Sequence, residues 1–207
     1  MSEELPAVEA DAGRPADTDA LLEDPLGQPR NEIPATVAFD TELLATDGYA
    51  VFCAGLHVYS TGFRLHLELR ARDRPRRPLY EVFHRAGPDE MLIGIEFADG
   101  RRGRHRGWDS RHREPGGGVM VHYRGGGGDE RAVGADFFVT PLPPPGPARI
   151  ICAWPARGIG DTVTELPVDA MTDAAGRIRA LWPPQRPDDE RLPERESTVP
   201  GDSWFAR

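Results

Sequence analysis

The sequence predicts a mainly β fold, an antiparallel β-sandwich or jelly-roll-like domain over residues 34–182, with one short C-terminal helix and disordered tails. Three observations lead there. From Phe63 to Arg72, apolar and polar residues alternate without a miss, the period-two pattern of a strand with one wet face. Some eight or nine short apolar runs follow one another, separated by Gly, Pro and Asp turn signals. Hydrophobic residues make up 39% of the 207, with 23 Gly beside them, which is enough to build a core.

Taken in order, residues 1–33 carry nine carboxylates against Arg14 and Arg30. That composition buries too little apolar surface to offset its ordering entropy, so the segment reads as a disordered acidic tail. Ala35–Asp40 is the first candidate strand. Phe52, Ala54, Leu56 and Val58 then alternate with Cys53, Gly55, His57 and Tyr59. Ser60-Thr61-Gly62 supplies a tight connection to the Phe63–Arg72 run, so the two predict an antiparallel hairpin. Leu79–His84, Met91–Phe97, Val119–Arg124, Ala135–Thr140, Arg149–Trp154 and Thr162–Leu166 are the remaining strands. The Gly runs 116–118 and 125–128 read as flexible hairpin tips. Pro141–Pro147 reads as a stiff, extended connector that crosses between sheets. Asp169 is positioned to cap a helix in which Met171, Ala174 or Ala175, Ile178 and Leu181 recur at helical spacing. From Pro183 the chain is Pro-rich, charged and poor in aliphatics, a second disordered tail ending in Trp204 and Phe205.

The stretch Leu92–Arg102, the Gly run 125–128, Pro141–Pro147 and Cys152-Ala153-Trp154-Pro155-Ala156 resemble a family of actinobacterial proteins with no assigned activity. The resemblance spans about residues 36–182. It implies a shared β fold and no particular chemistry, because its motifs are structural punctuation.

Composition excludes several chemistries. All 25 basic residues are Arg. A phosphate-binding loop ending in Lys, a kinase strand Lys and a Schiff-base Lys are therefore ruled out. Cys53 and Cys152 lie in apolar runs with no C-x-x-C, so they read as buried structural thiols, with no zinc ribbon or iron–sulfur cluster. No Ser lies in G-x-S-x-G, and the Gly runs lack the strand-then-helix context of a dinucleotide site. The acidic N-terminus has no signal-peptide pattern, and no apolar run approaches the length of a membrane span. A cytoplasmic protein without cofactor is the expectation.

Two surfaces are the candidate binding sites. One is the wet strand face carrying His57, Tyr59, Arg64, His66, Glu68 and Arg70. The other is the Arg-rich loop 101–113, with Arg101, Arg102, Arg104, Arg106, Arg111 and Arg113 around Trp108. Guanidinium forks grip phosphates and an aromatic can stack a base, so this loop suits a nucleic acid or other polyanion. The net charge of -9 speaks against that class, and the bland alternative for the loop is a solvated hairpin tip. The leading reading of the protein is a non-enzymatic interaction or structural module of unknown partner. A third reading takes His66, Glu68 and His122 as the two-His-one-carboxylate set of a non-haem metal enzyme on a jelly roll. Six His among 34 Asp and Glu give about one H-x-(D/E) by chance. The chain has two, at His66 and His112, so the pattern carries little weight.

Overall fold

The computed structural model describes residues 27–75, 79, 82–83, 89–105 and 118–183. It is mainly β, with antiparallel sheets and one short helix. The larger sheet contains β2 (Ala35–Val37), β3 (Thr41–Ala45), β4 (Tyr49–Tyr59), β5 (Gly62–Ala71), β8 (Met120–Gly128) and β9 (Ala132–Thr140). Its order is β2-β4-β5-β9-β8, with β3 also paired to β4. The smaller sheet runs β11-β10-β6-β7, from β6 (Leu92–Glu96), β7 (Arg102–Arg104), β10 (Arg149–Trp154) and β11 (Ile159–Glu165). One hydrophobic core takes side chains from both sheets, among them Val51, Leu65, Leu67 and Phe137 from the larger and Ile93, Ile150 and Trp154 from the smaller. That shared core makes the pair a sandwich.

β5 is the centre of the larger sheet, and its alternation is the one read from sequence. Phe63, Leu65, Leu67 and Leu69 are wholly buried, while Arg64, His66, Glu68 and Arg70 face outward. Each such buried side chain contributes about 1.5–3 kcal/mol relative to exposure. Ser60 and Thr61 form the two-residue turn between paired Tyr59 and Gly62, as the hairpin requires.

β4 departs from its expected pattern. A bulge between Cys53 and Gly55 places Ala54 out of register, so Val51 and Cys53 point inward before it and Leu56 and Val58 after it. Phe52 is half-buried and Ala54 exposed, the reverse of the simple alternation. Leu79–His84 is not a strand at its described positions. Leu79, Val82 and Phe83 are buried in a turn where the Val82 N–H donates to the Leu79 carbonyl (3.1 Å).

The glycines 125–128 are not a hairpin tip; they form the second half of β8. The turn is Asp129–Arg131, where the Asp129 carboxylate accepts from the backbone N–H groups of Arg131 (2.7 Å) and Ala132 (2.9 Å). Glycine is required at 126, where a Cβ would lie 2.3 Å from the Gly134 carbonyl oxygen. The segment after Thr140 leaves the larger sheet at β9 and enters the smaller at β10, so the Pro run does cross between sheets.

The helix, α1 (Val168–Ala175), starts before Asp169, and no side chain caps it. Val168, Met171 and Ala174 pack inward, whereas Ile178 and Leu181 lie beyond its end at Gly176. β1 (Glu32–Ile33) pairs with β12 (Arg179–Ala180), and the Asn31 side chain donates to the Trp182 carbonyl (2.9 Å). Residues 1–26 and 184–207, which hold most of both expected tails and include Trp204 and Phe205, lie outside the described residues, as do Gly116 and Gly117.

Candidate functional site

The outer face of the larger sheet is built by register. Thr36, His57, Arg64, Phe138 and His122 form one row across β2, β4, β5, β9 and β8. Gly55, His66, Asp136 and Gly125 form the next row, then Phe52, Glu68, Gly134 and Gly127. Ala50, Arg70 and Ala132 close the series.

Within this lattice most charges are used up by neighbours. The His66 Nδ1 lies 2.8 Å from Asp136 Oδ1, and its Nε2 lies 3.6 Å from Glu68 Oε1. Glu68 pairs with Arg70, whose guanidinium sits 5.6 Å from the Phe52 ring centre. Gly134 gives the His66 ring its place, since a Cβ there would come within 3.2 Å of it. Asp136 and Gly134 were not singled out from sequence. Their signal was Asp136 as a polar residue inside an otherwise apolar strand, opposite His66 only once the β5–β9 register is known.

Arg64 differs from Arg70. Among the described residues it has no carboxylate partner, and its Nε is buried without an acceptor. His57, directly across from it, buries Nδ1 without a partner. Burial, and then the neighbouring Arg64 charge, hold His57 below the usual histidine range. Tyr59 is on the same face but is not open. It is 3% exposed, packs edge-on against Phe138 (5.7 Å between centroids) and accepts a hydrogen bond from Gln28 Nε2 at 2.8 Å. Burial pushes its phenol above the usual value.

The Arg-rich segment is split by the fold. The Arg101 Nε donates to Asp99 (2.7 Å), and its guanidinium lies over Phe97, so Arg101 is committed to its own turn. Arg102 and Arg104 are exposed on β7. They flank a shallow groove of about 360 Å³ with Gly94, Glu96 and Ile151. His105 turns inward instead, with its ring 5.2 Å from that of Phe137. Arg106, Trp108, Arg111 and Arg113 lie outside the described residues, as do His112 and Glu114.

His66 and Glu68 are neighbours on β5, but His122 is two strands away in the Arg64 row, with β9 between. At about 4.8 Å per strand, that is roughly 10 Å of lateral separation before the shift in row. Among the described residues no three His, Cys, Asp or Glu side chains converge as a metal-binding group. Cys53 and Cys152 are buried free thiols on β4 and β10, which belong to different sheets. Among the described residues no helix is long and apolar enough to cross a membrane. No family model, curated protein or solved structure matches this chain, so its site is defined by its own residues alone.

Proposed function

We propose that the protein is a non-enzymatic interaction module that docks an acidic protein partner on the outer face of its larger sheet. The observation that carries this reading is Arg64. It sits half-buried and unpartnered beside His57, on a face where Glu68, Asp136, His66 and Arg70 already satisfy one another. Arg64 has no carboxylate partner among the described residues, and a partner's carboxylate supplies the counter-charge to its guanidinium. A cytoplasmic setting, where both thiols stay reduced, belongs to the same proposal.

The test is capture of partners from nuclease-treated host lysate on immobilised protein, comparing the native chain with Arg64→Glu. Loss of a stoichiometric acidic partner in that variant alone, with Arg102→Glu/Arg104→Glu still binding, supports the reading. Equal capture by all three removes this face.

A second reading rests on Arg102 and Arg104, two exposed guanidinium groups on one face of β7. It makes that strand a polyanion site. Phosphate contacts would give affinity for a single-stranded oligonucleotide that falls steeply with salt, with the slope reduced in Arg102→Gln/Arg104→Gln. A flat salt dependence removes it.

A further inference from the structure

The outer face of the smaller sheet carries a charge order of its own. Ile93, Ile95, Ile150 and Cys152 point into the core, so Leu92, Gly94 and Glu96 of β6 and Arg149 and Ile151 of β10 point outward. Register sets these residues in rows across β11, β10, β6 and β7. One row reads Glu165, Arg149, Glu96, Arg102, so its charges run minus, plus, minus, plus. The neighbouring row reads Val163, Ile151, Gly94, Arg104.

The charged row is only loosely joined within the subunit. Arg149 lies 3.8 Å from Glu96, and among the described residues neither Glu165 nor Arg102 has an ion-pair partner. The apolar row is open. Val163 is 59% exposed and nearby Leu92 39%, while Gly94, with no side chain, leaves the groove of about 360 Å³ beside Ile151. Exposed apolar surface rimmed by charge marks an interaction site.

An alternating row over four strands is its own complement when reversed. Turning a second copy about an axis parallel to the strands, between the two faces, reverses the strand order. β11 then lies over β7 of the second copy, and β10 over β6. Glu165 meets Arg102 and Arg149 meets Glu96, each contact occurring twice. In the neighbouring row Ile151 meets the gap at Gly94, and Val163 meets the aliphatic stem of Arg104. An order of plus, minus, minus, plus would instead set like charges together. Sheets stack in this way about 10 Å apart, with strands within about 30° of one another.

We propose that the outer face of the smaller sheet is the interface of a two-fold homodimer, with Glu165 of each copy paired to Arg102 of the other around Ile151 and Val163. The contact is isologous, as most homodimer contacts are. Four strands and five residues along each give a footprint of roughly 19 by 17 Å, the size of a reversible association. The dimer leaves the outer faces of both larger sheets free on its opposite sides. The protein then presents two copies of that face, and a partner with two sites gains avidity.

The experiment is sedimentation of the full chain from about 1 to 300 µM, a range that brackets a micromolar dimer. It compares the native protein, Glu165→Arg, Arg102→Glu and the chain carrying both reversals. The native chain should pass from monomer to dimer mass as concentration rises. Each single reversal sets like charges together twice and should weaken association about tenfold or more. The doubly reversed chain should recover native association, and so should an equimolar mixture of the two single variants. A native chain that stays monomeric throughout overturns the proposal. So does a dimer that neither reversal weakens, or a monomer that binds an oligonucleotide through Arg102.

Discussion

Thr140 at the end of β9 donates its hydroxyl to the Thr61 carbonyl at 2.7 Å, tying the strand that leaves the larger sheet to the turn that connects its central hairpin. Thr140 is 1% exposed, so no water replaces that bond when it is lost. Thr140→Val keeps the shape and removes the donor. It should cost about 1–3 kcal/mol of unfolding free energy in urea titrations, with an unchanged slope. A neutral result would mean the Thr61 carbonyl finds another donor.

Gly126 and Gly127 are adjacent in β8 and should respond oppositely to alanine. At 126 the new methyl meets the Gly134 carbonyl at 2.3 Å, whereas at 127 nothing lies within 4 Å. Gly126→Ala should lose about 2 kcal/mol or more by forcing apart the β8–β9 pair. Gly127→Ala should be neutral or gain about 0.4–1 kcal/mol by restricting the unfolded chain. Thermal unfolding of the two variants side by side checks the sign of each.

His57 sets a direction for pH. Its pKa is lowered in the folded protein by burial and by Arg64, so the unfolded state binds the proton more readily. Stability contributed by neutral His57 is present above about pH 6.5 and declines as pH falls through that value, levelling off below the folded pKa. His57→Gln should flatten this part of the stability profile. Arg64→Gln should raise the His57 pKa part of the way, because burial remains.

The two cysteines act on the alkaline side. Burial pushes Cys53 up to about 11 and Cys152 up to about 12. Their contribution is complete below the unfolded thiol value of about 8.5 and is lost as pH rises above it, by about 1.4 kcal/mol per unit for each thiol. In the native protein at pH 8 neither thiol should react with a disulfide reagent on the timescale of mixing, and both should react in denaturant. Fast native reaction would contradict their burial.

Much of the strand content was legible in the sequence, and the reasons for the misses are local. β5 could be read because every second residue is charged or histidine and every other one is aliphatic or aromatic. β4 was legible as the partner strand of its hairpin, but not the direction its residues face before the bulge, because Phe52, Cys53 and Ala54 are all apolar and give no phase. Gly125–Gly128 carry no side chains and so no period, and the capping signal was the neighbouring Asp129. The outward face of β5 was visible as a set of charges. Which of those charges are satisfied depended on Asp136, seventy residues away, and on a register no local pattern encodes.

The glycine half of β8 has a consequence for how the chain tolerates changes in length. Register there is fixed at two fasteners, the aromatic and aliphatic residues Met120–Tyr123 at one end and the Asp129 turn at the other. Between them the ladder already accommodates one surplus residue, in the bulge between Tyr123 and Gly125. Deleting a residue at that bulge would restore regular pairing with no side chain moved from one face to the other. The stretch is a slack joint, where the gene can lose a codon while the core beneath keeps its pattern.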